Sequence, residues 1–277
     1  MTGDRLQTLQ TATTFKPASR PAGPIRPEDI RDQGRQHGLT RQTGPSLTWC
    51  LTPPYSQGEI SVLAAVLVAI NRFNAAHPWS HNDFYQRWLL RQLPDRLPRT
   101  IDVGCGTGNL VLAISQRADI AEGIDVDAGV IATACARAQA RPNAVFAVRD
   151  LLDLPGEGHY DAVTAVAVVH HLPLTEALAK MRGLAAPGGR IVIIGCYRAA
   201  TMTDHLVGLA AVPMNMIMGL LKSARAVDAR VAMSAPTAKP QHTLTEIRHA
   251  SARILPGARI RRRLFWRYSL TYSAPTR

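Results

Sequence analysis

The stretch Thr100–Ser115, TIDVGCGTGNLVLAIS, decides how the rest of the chain is read. A short apolar run leads into three glycines, Gly104, Gly106 and Gly108, and then into a helical pattern from Asn109. Strand, glycine turn and helix in that order let backbone approach a nucleotide-like ligand closely. The dinucleotide fingerprint G-x-G-x-x-G needs a glycine three places beyond Gly106, where Asn109 stands, so the spacing here is the compact G-x-G-x-G. Asp102 lies two residues before the first glycine. A carboxylate there repels a pyrophosphate and attracts an amino group or a sulfonium. The loop therefore predicts a ligand that is cationic near the glycines.

Around this loop the pattern is regular. Strands are predicted over Thr100–Val103, Ala121–Ile124, Ala144–Val148, Tyr160–Val166 and Arg190–Gly195. Helices are predicted over Asn109–Arg117, Ala128–Ala140 and Thr175–Leu184. Such alternation implies crossover connections, a parallel sheet and a ligand at the C-terminal strand ends. Upstream, SHNDFYQRWLLRQLP from Ser80 reads as a capped amphipathic helix with Phe84, Trp88 and Leu89 on one face. Downstream, TLTEIRHASARIL reads as a helix, and ARIRRRLFW with RYSLTYSA as two closing strands. Between them, residues 200–240 break the alternation with a Met-rich apolar segment and a Pro/Ala/Ser/Thr-rich stretch, read as a helical insertion.

The motifs after the glycine loop, taken together, resemble the class I S-adenosylmethionine-dependent methyltransferases of the small-molecule branch. VGCGTG looks like motif I of that family, and GIDVDAG (Gly123–Gly129) like its second-strand motif. VRDLLDLP (Val148–Pro155), YDAVTAVAVVHHLP (Tyr160–Pro173) and LAAPGGRIVIIGC (Leu184–Cys196) resemble the segments of the third, fourth and fifth strands. The resemblance implies a Rossmann-like, doubly wound α/β fold. Its seven-stranded, mostly parallel sheet has a C-terminal antiparallel strand and carries a helical lid insertion. It also implies S-adenosylmethionine as cofactor. Asp102, Gly104, Cys105, Gly106 and Gly108 fall in the donor loop; Asp125 with Val126 would hold the ribose, Asp150 with Leu151 the adenine, and Val166 ends the fourth strand. A carboxylate that ends the second strand can accept from both ribose hydroxyls at once.

Two residues are candidates for catalysis. His171, in VVHHLP, stands on the same rim as the glycine loop, and imidazole titrates near working pH, which suits a general base. A role bonding backbone or capping the loop is the competing reading. Tyr85 lies where related enzymes have a helix over the donor, and would bond the methionine carboxylate or close the acceptor pocket. Trp79, Phe84 and Trp88 are read as packing, and Tyr197 as facing the acceptor. The segment Val207–Lys222 suits a lid for a hydrophobic acceptor, because methionine fills irregular apolar space; a core helix or a dimer contact fits it equally.

Charge and composition bound the alternatives. The chain has 277 residues and net charge +12, but residues 100–221 carry 8 Lys/Arg against 11 Asp/Glu. The excess lies in residues 1–99 (12 against 7) and 222–277 (12 against 2). The arginine-rich RIRRRLFWR is read as a solvated strand face, so no nucleic-acid partner is expected. An RNA-directed methyltransferase using this basic region is the first alternative. The Pro53-Pro54-Tyr55 tripeptide resembles part of the site of adenine-directed enzymes, but it has Thr52 before it and lies out of the usual motif order. A protein that binds the sulfonium without methyl transfer is the second alternative.

The four cysteines are unpaired in spacing, so no metal site is expected. Ile60–Ile70 is shorter than the ~20 residues of a membrane span, and Leu206–Leu221 is short and interrupted by Pro213. No membrane span and no signal peptide are read, which gives a cytoplasmic protein, monomeric or homodimeric. Residues 1–58 have no apolar period and are read as a disordered or loosely attached extension. Residues 59–99 are read as a helical cap, and 100–277 as the donor-binding domain.

Overall fold

The structure, a computed structural model, describes residues 57–155, 158–222 and 238–276. All but the last two residues of the expected N-terminal extension lie outside these, as do Cys50 and the Pro53-Pro54-Tyr55 tripeptide. The described chain begins with α1 (Gln57–Ala76) and α2 (His81–Leu90). Then follow β1 (Leu97–Val103), α3 (Asn109–Ile114), β2 (Ala118–Asp125), α4 (Ala128–Arg137), β3 (Ala144–Val148) and β4 (Tyr160–Val166). After a 3-10 turn at Val169–His171 come α5 (Leu174–Leu184), β5 (Ala185–Cys196) and α6 (Met202–Lys222). The chain closes with α7 (Leu244–Ile254), β6 (Arg259–Arg263) and β7 (Arg267–Ser273).

The seven strands form one sheet in the order β3-β2-β1-β4-β5-β7-β6. The pairs among β1 to β5 are parallel; β7 runs antiparallel to β5, and β6 antiparallel to β7. Both faces of the sheet are covered, and β5 shows why its sequence is a continuous apolar run. Ile191 and Ile193 pack in one core with α5 and α7, whereas Val192 and Ile194 pack in the other with α2 and α3. Strand order reverses between β1 and β4, the switch point where open α/β sheets leave a crevice.

Local signals set several boundaries. Ser80 caps α2 by accepting from the Asp83 amide at 3.1 Å. Thr243 and Glu246 form a reciprocal capping box at the start of α7. β3 and β4 run as the alternation predicts, but β1, β2 and β5 begin three to five residues earlier than expected. Their added residues include Pro98, Asp119, Pro187 and two glycines, and pairing with neighbours, such as Leu97 with Ala118, makes them strand.

The β6–β7 hairpin is anchored by its tip. Phe265 and Trp266 both have positive φ, a conformation unfavourable for large side chains. Burial offsets that cost: Phe265 is fully buried among Trp79, His81 and Phe84, with ring centroids 5.0–5.2 Å away.

One expectation about α6 is corrected. The sequence pattern predicts an apolar run that is short and interrupted at Pro213, yet the segment forms one unbroken helix of 21 residues. By length and composition it is long enough to cross a membrane. A proline removes only one amide donor, at about 3 kcal/mol, and the flanking turns continue past it. On the core side, replacing the fully buried Ile193 by alanine is expected to lower stability by about 2–5 kcal/mol, read as a lower denaturation midpoint with unchanged slope.

Candidate active site

Four strand ends meet at the crevice. The β1 register sets Val103 beside Ile124 of β2 and beside Ala165 of β4, and Asp125 pairs with Val148 of β3. The loops that follow, starting at Gly104, Val126, Arg149 and Ala167, therefore share one edge. This brings together the expected donor residues Asp102, Gly104, Cys105, Gly106, Gly108, Asp125, Val126, Asp150, Leu151 and Val166.

The glycines are required by conformation and by space. All three have positive φ: 65° at Gly104, 53° at Gly106 and 83° at Gly108. A Cβ on Gly104 would collide with the Val168 side chain, and one on Gly108 would come within 2.6 Å of the Phe146 ring. A Cβ on Gly106 would meet nothing within 4 Å, so the middle glycine faces open space. The loop is held from outside by the Arg137 guanidinium, which donates to the Thr107 carbonyl at 2.9 Å. Gln86 of α2 donates to the Asn109 carbonyl at 3.0 Å, fastening the N-terminal helix over the start of α3. Neither contact is expected from the sequence. Both are long-range and leave no periodic signal.

Asp102 lies beneath the loop and is almost completely buried. Its Oδ1 accepts a hydrogen bond from the Thr164 hydroxyl at 2.6 Å, across the β1–β4 pair. Burial pushes its carboxyl up to about 7, with the nearby Asp125 charge pushing the same way and the Thr164 bond opposing. Cys105 is buried beside both carboxylates, and burial foremost raises its thiol, so it stays protonated.

Asp125 accepts the Gly106 amide on Oδ2 and the Asp127 amide on Oδ1, each at 3.0 Å. The two oxygens keep capacity for two further donors, as a ribose diol requires. Exposed Val126 follows it. Asp150 accepts the Leu152 amide at 2.8 Å, and Leu151 is buried beside it. These acids, the loop amides and the open space at Gly106 fit an adenosyl sulfonium with an ammonium group.

His171 is exposed, and its amide donates to the Val168 carbonyl at 2.9 Å. Val168 is the residue packed against Gly104, so the histidine segment adjoins the glycine loop. The His170 ring lies 4.1 Å from the His171 ring, and burial foremost lowers His170 to about 4. Ala167, at the start of this segment, has φ of 55°, a strained conformation for a residue with a side chain.

Tyr85 is placed differently from a residue poised over the donor. Its ring is buried, and its hydroxyl donates to the Leu264 carbonyl at 2.9 Å in the hairpin tip. Burial raises its phenol to about 12. Tyr197 is likewise buried, and burial raises its phenol beside the Asp204–Arg262 ion pair.

Asp102 gives a pH dependence with a definite sign. Its carboxyl is raised in the folded protein, so the ligand-free fold loses stability as pH rises from about 4 to about 7 and is flat above that range. A cationic ligand favours the ionised form. Affinity for S-adenosylmethionine is therefore expected to fall up to about tenfold per pH unit below pH ~7, measured by calorimetry. In Asp102→Asn that slope disappears. A Tyr85→Phe variant is expected to lose about 1–3 kcal/mol of stability while keeping donor affinity, checked by denaturation and calorimetry together.

Comparison with known proteins agrees with this geometry. A methyltransferase domain family matches residues 101–189. An uncharacterised methyltransferase of Mycobacterium tuberculosis is 32% identical over 203 residues, covering 72% of this chain and 98% of that protein. The demethylmenaquinone methyltransferase of Thermus thermophilus is 38% identical over 117 residues, covering 39% of this chain and 53% of that protein. Among solved structures, a chain of the Haloferax volcanii complex containing the Trm112 methyltransferase activator aligns with TM-score 0.51 at 15% identity. That alignment covers 80% of this chain and 99% of the other, and supports the fold alone. With the cationic-ligand cradle at the β1–β4 switch point and a full-length relative of this kind, the chain belongs to the class I S-adenosylmethionine-dependent methyltransferases.

Proposed function

We propose that the chain is a cytoplasmic enzyme that methylates a small hydrophobic or aromatic metabolite, with His171 as the base that takes the acceptor's proton. The observation that carries this reading is the position of the Val168–His171 segment, packed through Val168 against Gly104 of the donor loop. Named relatives support the small-molecule part of this reading. Besides the demethylmenaquinone enzyme, a trans-aconitate 2-methyltransferase of Methylobacterium radiotolerans is 36% identical over 125 residues, covering 44% of this chain and 48% of that protein. Both act on small molecules by name.

When bound, S-adenosylmethionine supplies an electrophilic methyl group on a positively charged sulfur. Asp102 would neutralise the cationic ligand, Asp125 and Asp150 would hold its ribose and adenine, and the loop has open space at Gly106. Transfer of that methyl group would form the bond from acceptor to carbon as the carbon–sulfur bond breaks, leaving the electron pair on sulfur. His171 receives the acceptor proton at its exposed imidazole. His170, held neutral by burial, lies tilted beside that ring and does not compete for the proton. Tyr85 has no place in this scheme beyond supporting the fold, because its donor is committed to Leu264.

The test is incubation with methyl-labelled S-adenosylmethionine and a metabolite extract, with mass spectrometry of the labelled product and of S-adenosylhomocysteine. The two should rise in equal amounts; donor binding with neither formed would contradict the proposal. Asp125→Ala is expected to abolish donor binding. His171→Ala is expected to bind the donor normally and lose about 10²–10⁴ in turnover, whereas unchanged turnover would leave the histidine a structural role.

A further inference from the structure

Helix α6 is built inside out. The positions it turns most directly toward the protein are Asp204, Gly208, Ala211, Asn215 and Gly219, at the i, i+4, i+7, i+11 and i+15 spacing of one helix face, with Met218 packed against the core at its edge. Each has a defined partner. Asp204 pairs with Arg262 at 2.8 Å and accepts the Ala200 and Thr201 amides. A Cβ on Gly208 would lie 3.1 Å from the Trp266 indole nitrogen, and Ala211 is fully buried. Asn215 accepts from the Trp79 indole at 2.9 Å, contacts a His81 ring nitrogen at 2.8 Å and donates to Asn74 of α1 at 3.0 Å. Gly219 lets the backbone at His77 approach so closely that a Cβ would lie 2.9 Å from its carbonyl oxygen.

The outer face is the reverse of what water selects. Leu206, Leu209, Ile217, Leu220 and Leu221 are 49–72% exposed, and no acidic side chain lies among them. The helix's one acid is the buried Asp204. Small and polar residues inside with large aliphatics outside is the arrangement of helices whose outer surroundings are hydrocarbon. Helix α1, tied to α6 through Asn74, exposes Val62, Val66 and Val68 as well.

We propose that α6 docks this protein on the surface of an anionic phospholipid bilayer, lying flat with its outer leucines among the acyl chains. The ion pair at Asp204 and the hydrogen bonds of Asn215 hold the inner face to the protein, so the helix lies in the interface and does not cross it. At 21 residues and 1.5 Å per residue it presents about 30 Å of apolar edge. Charge selects the bilayer over a second copy of the chain. The arginine-rich β6 is joined to α6 through the Arg262–Asp204 pair and leaves Arg259 and Arg261 exposed; two such basic faces repel each other, whereas anionic headgroups attract both. The inference does not depend on which acceptor is methylated.

The test is co-sedimentation of the full chain with vesicles of phosphatidylcholine alone and of phosphatidylcholine with phosphatidylglycerol. Sedimentation with the phosphatidylglycerol vesicles, weakened by salt, is expected. A Leu209→Glu/Leu220→Glu variant should bind those vesicles at least about tenfold more weakly, with unchanged circular dichroism and donor affinity. Retained donor affinity keeps this result separate from the methyltransferase reading. Wild type left in the supernatant with both vesicles, or a double variant that sediments equally well, overturns the proposal. So does a wild-type dimer that ignores vesicles and becomes monomeric on the same substitutions, since a second copy would then be the occupant.

Discussion

The hydrogen bond from Thr164 to Asp102, 2.6 Å long and buried between β1 and β4, is the contact on which the donor site depends. It joins the two strands at the place where strand order reverses, and it orients an acid that has lost its water. Raising that carboxyl to about 7 corresponds to roughly 4 kcal/mol in favour of its neutral form, which one hydroxyl cannot cancel. A cation arriving above the loop can. The free protein thus stores an electrostatic deficit under its glycine turn that a positively charged ligand relieves and a phosphate would worsen. The Gly106 amide is already held by Asp125, so the loop's backbone is organised around carboxylates on both sides.

The remaining structure keeps those carboxylates in register. Parallel pairing sets the ends of β1, β2, β3 and β4 side by side, and two apolar cores clamp the sheet from both faces. Arg137 and Gln86 brace the loop from α4 and α2. Helix α2 is itself held by the hairpin tip, where two residues in an unfavourable backbone conformation are tolerated because Phe265 fills an aromatic nest. Tyr85 belongs to that bracing system and reaches the hairpin through its hydroxyl.

Much of this is legible in the sequence, for reasons that can be named. The glycine loop is dictated locally, since positive φ and close neighbours exclude other residues at Gly104 and Gly108. β3 and β4 are short apolar runs with clear boundaries, and Asp125 and Asp150 follow strands whose ends the alternation marks. Arg137 and Gln86 are invisible there because their partners, the Thr107 and Asn109 carbonyls, lie 30 and 23 residues away. The early starts of β1 and β2 depend on each other, which no single window records. Helix α6 departs furthest from its sequence reading. Periodicity shows that a helix has two faces, but hydrophobicity names the wrong one as inward when small and polar residues make the close contacts.

The most direct measurement is a carbon-13 titration of the Asp102 carboxyl by nuclear magnetic resonance, with the Asp102→Asn variant for assignment. With no ligand the midpoint should lie near 7, and saturation with S-adenosylmethionine should move it downward by about two pH units or more as the cation settles above the carboxylate. A midpoint near the ordinary carboxylate value in the free protein, or one that does not move when the donor binds, would contradict the account.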